Sequence, residues 1–229
     1  MNKKLYPKGS FSRMNYIVFY PEGRTPDECG DLPLITYLHG AGERGDDSSH
    51  LFRHAIPKLI EEGREYEAVF VCPQCPAHLV WDNVPEEVKS VIDSVAGEFH
   101  IKSDRISITG SSMGGFGTWM VSLTYPNFFA ASAPVAGGGM AWRCPNLINT
   151  PVYAYHGEID PLVPVMYSEL MVNAVNAAGG KATLEVIKGF SHNDGIDEAY
   201  RNTDLIEKLI NARRDMTLPA VKEIMSEHF

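Results

Sequence analysis

The segment that most constrains the fold is a serine with a glycine two residues away on each side, Gly110 and Gly114 around Ser112. The β-branched run at residues 104–108 predicts a buried strand before it, and the apolar residues after it predict a helix. Small residues are needed at both glycines because strand and helix approach closely at such a turn. We expect the turn to lift the Ser112 hydroxyl out of the sheet. The backbone N–H of Met113 would then lie at a helix N-terminus, where it can face an oxyanion.

Apolar runs alternate with helical patterns along the rest of the chain. This alternation is typical of α/β proteins with a mostly parallel, twisted sheet and helices on both faces. No linker, repeat or low-complexity tract interrupts it, so we expect residues 1–229 to form a single domain. The expected strands are 16–20, 32–38, 68–72, 106–109, 129–135, 152–155 and 182–187, and the expected helices are 85–99, 117–123, 165–178, 198–212 and a short one at 219–229.

Charge and composition exclude several classes of partner. The net charge is −9, and the sequence has no cluster of Lys and Arg that could bind phosphates. We therefore expect the protein to bind neither nucleic acid nor an anionic membrane surface. No apolar stretch has the length of a membrane span. The first residues lack the apolar core of a signal peptide, which predicts a cytoplasmic protein. A secreted protein whose signal peptide has been removed is the alternative.

Cysteines and paired histidines give no reason to expect a metal. Four cysteines in 229 residues do not make a disulfide framework, and Cys72 and Cys75 lack the second pair of a zinc site. His50 and His54 could share a helical face, but no third ligand lies beside them in the sequence. We expect both to be surface histidines.

The turn around Ser112 has the pattern of the nucleophile elbow of α/β-hydrolases, in which the triad follows the order Ser, Asp or Glu, His. The carboxyl end of the strand at 152–155 is where open α/β sheets place their sites, and Asp160 lies in the loop that follows it. Asp160 is therefore the expected acid, with a helix N-cap as its alternative role. The acidic residues between Ser112 and His192 are Glu158, Asp160, Glu169 and Glu185.

Two histidines remain beyond Asp160, and one of them is well placed to be a general base. His228 is the penultimate residue of the chain. His192 follows the last expected strand directly and precedes the last long helical pattern. The order of the residues and the position of His192 predict that His192 is the base. The less favoured alternative is that His192 is a solvated loop residue.

The loop after the strand at 32–38 is expected to supply a second oxyanion donor. It carries Gly40 and Gly42 around Ala41, and glycines let a backbone N–H approach a tetrahedral intermediate without obstruction. We therefore pair the N–H groups of Ala41 and Met113. The other polar residues of these strand-end loops are expected to organise the loops: His39 and His156 through hydrogen bonds, and Glu43, Arg44, Asp46 and Asp47 as an ion-pair network.

Four ordered motifs together resemble α/β-hydrolase serine esterases: residues 38–45, 110–119, 155–160 and 190–192. The branch resembled includes predicted peptidases, feruloyl and acetyl xylan esterases, polyhydroxybutyrate depolymerases and phospholipase/carboxylesterase-type enzymes. The resemblance spans roughly residues 34 to 200. One departure is a second serine, Ser111, but only Ser112 has a glycine two residues away on both sides.

The resemblance implies a serine esterase with Ser112, Asp160 and His192 as its triad and no metal or organic cofactor. The expected partner is a small-molecule or oligosaccharide-linked ester, and the oligomeric state is left open. A small serine peptidase or amidase of the same fold is the first alternative. A non-catalytic ligand-binding module on a hydrolase scaffold is the second.

Short loops predict an open cleft. The connection from 136 to 150 carries three consecutive glycines and has no room for a helical cap domain. Trp81 and Trp142 are candidates for an aromatic rim that binds substrate, with packing as the alternative for each. Such a cleft suits a short or aromatic acyl group on a bulky polar alcohol such as a sugar chain.

Overall fold

One eight-stranded sheet organises the computed structural model, which describes residues 1–9 and 12–221. Strands β1 and β2 are antiparallel to each other, as are β2 and β4, and all other neighbours are parallel. The expected mostly parallel sheet is confirmed. The strands are β1 (Asn2–Tyr6), β2 (Tyr16–Tyr20), β3 (Leu34–Leu38), β4 (Val69–Pro73), β5 (Ile106–Ser111), β6 (Ser132–Val135), β7 (Val152–Gly157) and β8 (Ala182–Ile187), in the spatial order β1-β2-β4-β3-β5-β6-β7-β8.

Helices connect the strands and cover both faces of the sheet. They are α1 (Ala55–Glu61), α2 (Pro85–Glu98), α3 (Met113–Thr124), α4 (Met166–Ala177), α5 (His192–Asn202) and α6 (Leu205–Asn211). Short 3₁₀ helices lie at Pro26–Glu28, Ala41–Glu43, Ser48–Arg53, Trp81–Asn83 and Ala141–Leu147. Within residues 1–9 and 12–221, no helix is long and apolar enough to cross a bilayer.

Alternating side chains of the central strands divide the core into two layers. Ile35 of β3 belongs to the cluster that includes Ile56 of α1 and Leu209 of α6. Its neighbour Leu34 belongs to the opposite cluster, with Val91 of α2. Successive residues of a strand point to opposite faces, so one apolar run supplies both layers.

Several elements differ from the expectation, and helix α1 is one that was not predicted. Strand β1 was not predicted because its residues are mostly polar and exposed, as is common at a sheet edge. The helix expected at 198–212 is two helices, since Thr203 is extended and its hydroxyl accepts the Leu205 N–H at 3.2 Å. Most of the terminal helix expected at 219–229 lies outside the described residues.

The connection between β6 and β7 leaves the carboxyl edge of the sheet uncovered by a cap domain. Where a loop was expected it contains a 3₁₀ helix, Ala141–Leu147, seven residues long. A lid domain needs several helical turns that pack on one another, and this segment is too short to provide them.

Candidate active site

The turn between β5 and α3 holds Ser112 in a strained conformation. Its φ of 56° and ψ of −118° lie where non-glycine residues are rare. The Ser112 N–H donates to the Val135 carbonyl at 2.9 Å, and its own carbonyl accepts the Phe116 N–H at 3.0 Å. These two bonds anchor the serine to β6 and α3, so the strain is maintained by the surrounding structure.

Close packing explains the glycines around the turn. A Cβ on Gly110 would lie 2.4 Å from the Gly114 carbonyl oxygen, and one on Gly114 would lie 1.8 Å from the Leu38 carbonyl oxygen. Both separations are below van der Waals contact, so neither position accepts a larger residue without backbone movement. The expectation that the turn needs small residues here is confirmed.

The two adjacent serines face different surroundings. The Ser111 hydroxyl lies 2.9 Å from the Tyr37 hydroxyl inside the core and is buried. The Ser112 hydroxyl instead lies 2.8 Å from Nε2 of His192. Of the two, only Ser112 is positioned to pass a proton to a histidine.

The structure brings together the three residues that the sequence singled out. Nδ1 of His192 lies 2.5 Å from Oδ2 of Asp160, while Nε2 of the same ring faces Ser112. An ionised carboxylate only accepts hydrogen bonds, so Nδ1 carries the proton of the neutral ring. Nε2 is then the acceptor for the Ser112 proton, as a general base requires.

The two carboxylate oxygens of Asp160 have separate partners. Oδ1 accepts the N–H groups of Leu162 and Val163, both at 2.9 Å, which leaves Oδ2 for His192. Asp160 thus has the loop-capping contacts of its alternative role as well as a contact to the histidine. Burial opposes ionisation, but hydrogen bonds from Val163, His192 and Leu162 keep the Asp160 pKa below its usual value.

Glu158, the other acid of this loop, is turned away from His192. Its side chain accepts the Gly189 N–H at 2.9 Å and is exposed to solvent. This contact ties the loop after β7 to the loop after β8. Of the two acids, Asp160 is the one in contact with His192.

His156 braces the loop that carries Asp160. Its Nε2 lies 2.7 Å from the Val163 carbonyl oxygen, and its Nδ1 lies 2.7 Å from the Ser168 hydroxyl at the start of α4. Burial lowers the pKa of His156, so the ring is neutral near pH 7. The expectation that this histidine organises its loop agrees with these bonds.

His39 fixes the loop that was expected to supply an oxyanion donor. Its Nε2 accepts the Cys75 N–H at 2.9 Å, so Nδ1 carries the proton and donates to the Gly40 carbonyl at 2.6 Å. Burial lowers the pKa of His39 to about 4, which keeps the ring neutral. Because C=O and N–H point in opposite directions across a trans peptide, holding the Gly40 carbonyl also fixes the direction of the Ala41 N–H.

Ala41 and Met113 occupy equivalent positions. Each is the first residue of its helix, a 3₁₀ helix at Ala41–Glu43 and α3 respectively, and the first N–H groups of a helix have no partner within it. Ala41 also lines the same cavity as Ser112. The assignment of these two N–H groups to an oxyanion hole remains a prediction.

A cavity of about 250 Å³ opens beside Ser112, between the loop at 40–43 and the start of α5. Glu43 is 3% exposed in its wall. The ion-pair network expected in this loop is wrong, because Arg44 donates to the carbonyls of Ala41 and Leu79, and Asp46 pairs with Lys8. His54, expected on the surface, also lines the cavity. The complete lining is Gly40, Ala41, Gly42, Glu43, His54, Ser111, Ser112, His192, Asn193 and Ile196.

The expectation that Trp81 forms the rim of the cleft is wrong. Its side chain is fully buried, and Nε1 donates to the His39 carbonyl at 2.9 Å. It packs in the core with Val88 and Val91. Trp142 is 54% exposed, and its role at a rim stays a prediction.

The parallel sheet, the strained serine turn and the Ser–His–Asp contacts define an α/β-hydrolase. The model of the Phospholipase/Carboxylesterase family matches residues 81–210, and a second model, for esterases, matches residues 12–142. The chain belongs to the Phospholipase/Carboxylesterase family.

Comparison with known proteins finds esterases of the same fold. A thermostable esterase is 28% identical with a TM-score of 0.77, and the match covers 93% of this chain and 63% of that one. The feruloyl esterase module of Clostridium thermocellum, complexed with sinapinate, is 17% identical with a TM-score of 0.66, covering 87% of this chain and 84% of the module. Poly(3-hydroxyalkanoate) depolymerase C of Paucimonas lemoignei is 39% identical over 51 residues, which are 22% of this chain and 12% of that protein. The chain thus spans less than two thirds of the depolymerase and of the thermostable esterase.

Proposed function

We propose that this chain, folded as one domain, is a serine carboxylic-ester hydrolase whose catalytic triad is Ser112, His192 and Asp160. The observation that carries the proposal is the pair of linked hydrogen bonds, 2.8 Å from Ser112 to His192 and 2.5 Å from His192 to Asp160. Membership of a carboxylesterase family supports it.

Each proposed role follows from the position of its atom. His192 Nε2 takes the Ser112 proton as the hydroxyl oxygen attacks the ester carbonyl, and Asp160 stabilises the charged ring that results. The Met113 and Ala41 N–H groups stabilise the oxyanion. His192 then returns its proton to the leaving alcohol, which gives an acyl-enzyme. Water attacks that ester with His192 again as the base, and the acid is released.

For the substrate we propose a short or aromatic acyl group on an accessible alcohol, of the carbohydrate-linked type. The absence of a cap between β6 and β7 supports an open approach to Ser112. The likeness to the feruloyl esterase module agrees with an aromatic acyl group, although at 17% identity it rests on the fold alone.

Two measurements test the proposal. A fluorophosphonate probe should label wild-type protein but not the variant Ser112→Ala. A series of p-nitrophenyl esters should show its highest kcat/KM at short or aromatic acyl groups, with no jump in rate above the micelle concentration. Absence of labelling would refute the nucleophile, and a preference for long chains with interfacial activation would refute the substrate class. Cleavage of peptide anilides faster than esters would favour a peptidase instead.

A further inference from the structure

The wall of the cavity beside Ser112 carries a buried carboxylate oxygen that no hydrogen bond from the described residues reaches. The Glu43 side chain is 4% exposed, and its Oε2 is a buried atom with no hydrogen-bond donor among the described residues. His39 Nδ1 lies 3.7 Å from Oε2, and His54 Nε2 lies 3.7 Å from Oε1, and both distances are beyond hydrogen-bond reach. The His39 proton is already donated to the Gly40 carbonyl. A buried carboxylate without a donor is costly, so such groups normally have a partner.

His54 provides a donor beside this carboxylate. It lines the same cavity, half-buried, with Nε2 toward Glu43 and Nδ1 3.7 Å from Asp197. Asp197 is held in turn by Lys58 at 3.0 Å. The Asp197 carboxylate raises the pKa of His54, which favours the ring form that donates from both nitrogens. The wall therefore offers an acceptor and a donor side by side.

The chemistry proposed above determines which part of an ester occupies this cavity. His192 must give its proton to the leaving alcohol, so the oxygen of that alcohol lies next to the His192 ring. Glu43 and His54 line the same cavity as Ser112 and His192. The remainder of the alcohol thus lies in a cavity whose wall includes Glu43 and His54.

The size and polarity of the cavity restrict that alcohol. Its volume of about 250 Å³ is below that of sites for drug-sized ligands, which hold roughly 300 to 1,000 Å³. It therefore suits a single small ring. A sugar ring presents neighbouring hydroxyls, one of which can donate to a carboxylate while the other accepts from an imidazole. A simple alkyl alcohol has no such groups.

On this basis we propose that Glu43 and His54 form a leaving-alcohol subsite that binds neighbouring hydroxyl groups of a polyhydroxy alcohol. The inference deepens the proposed ester hydrolase and rests on it. Glu43 accepts a hydrogen bond from one hydroxyl, and His54 donates to the next. Neither residue takes part in the proton transfers. They discriminate among esters by the alcohol, while the acyl group is bound elsewhere.

The test compares two acetate esters that differ in the alcohol, acetylated xylobiose and ethyl acetate. Wild-type protein should have the higher kcat/KM for the sugar ester. In Glu43→Gln, the ratio of the two kcat/KM values should fall about 10-fold, because a neutral amide oxygen replaces the charged acceptor of the hydrogen bond. His54→Asn should lower the same ratio. Glu158→Gln makes the same chemical change outside the cavity, and it should leave the ratio at the wild-type value.

A purely structural role for Glu43 gives a different pattern. If the carboxylate only supported the loop at 40–43, Glu43→Gln would slow both esters and fluorophosphonate labelling in parallel, with an unchanged ratio, and the subsite would be refuted. Wild-type hydrolysis of both esters without preference for the sugar ester would also refute it, with the ester hydrolase intact. Failure of the proposed function itself would appear as wild-type protein that neither hydrolyses ester nor labels at Ser112.

Discussion

Asp160→Asn changes the direction of one hydrogen bond on which the proposed chemistry depends. The side-chain amide must place its oxygen toward the Leu162 and Val163 N–H groups, because both donate to Oδ1 in the native loop. Its NH₂ group then faces His192 Nδ1, where Oδ2 lies at 2.5 Å in the native protein. Two donors cannot share a hydrogen bond, so the His192 proton moves to Nε2. That nitrogen then points a proton at Ser112 and cannot accept one.

The expected loss in kcat is about 10⁴-fold, which corresponds to roughly 5.5 kcal/mol at 1.36 kcal/mol per factor of ten. The loop should stay folded, since the amide oxygen still accepts both backbone N–H groups. The assay is hydrolysis of p-nitrophenyl acetate, with a thermal melt to confirm folding. Glu158→Gln is the matched control, because the exposed Glu158 side chain accepts the Gly189 N–H, and it should retain most activity. An Asp160→Asn protein that keeps a tenth of the wild-type kcat would refute the assignment of the acid.

Three further results are expected. Ser112→Ala should lose about 10⁶-fold in kcat. Ser111→Ala should keep most activity, because the Ser111 hydroxyl bonds to Tyr37 in the core. The reverse outcome in the p-nitrophenyl acetate assay would assign the nucleophile to Ser111. Gly114→Ala should lower the melting temperature strongly, since its Cβ would lie 1.8 Å from a carbonyl oxygen. A melting temperature equal to that of the wild-type protein would show that the turn can move to accept a side chain. The His39 ring should be neutral at pH 5 by ¹⁵N chemical shift, because its folded pKa is about 4 and an unfolded histidine titrates near 6.5. Only the unfolded chain binds that proton between these values, so the His39 contribution lowers the free energy of unfolding as the pH falls from about 6.5 to 4; a charged ring at pH 5 would contradict this.

The sequence carried enough to predict the sheet and the three residues proposed as the triad. Buried parallel strands are continuous apolar runs, which are visible in a single sequence. Local steric constraints determine which residues the turn at Ser112 accepts, as the close contact of Gly114 with β3 demonstrates. Asp160 and His192 could be selected because few acids lie between Ser112 and His192, and few histidines follow Asp160.

What the sequence did not predict depends on contacts between distant segments. Glu43 and His54 are brought together with Asp197 by the packing of α1 on α5, and no local pattern marks that meeting. Charged loop residues are usually exposed to solvent, so the sequence offered no reason to expect that Glu43 is buried. Strand β1 was missed for the opposite reason, since an exposed edge strand needs no apolar run.

Trp81 shows how a residue can matter to a site without contacting substrate. Its indole donates to the His39 carbonyl at 2.9 Å and packs edge-on against the His39 ring, with centroids 4.9 Å apart. On its other side α3 approaches so closely that a Cβ on Gly117 would lie 2.5 Å from the Trp81 Cβ. His39 in turn holds the Gly40 carbonyl, and with it the direction of the Ala41 N–H. One buried ring therefore supports both elements that would supply oxyanion donors, the loop that carries Ala41 and the helix that begins at Met113. Since an oxyanion hole works only when its donors are fixed in advance, the burial of Trp81 serves the proposed chemistry better than an exposed position at the rim would.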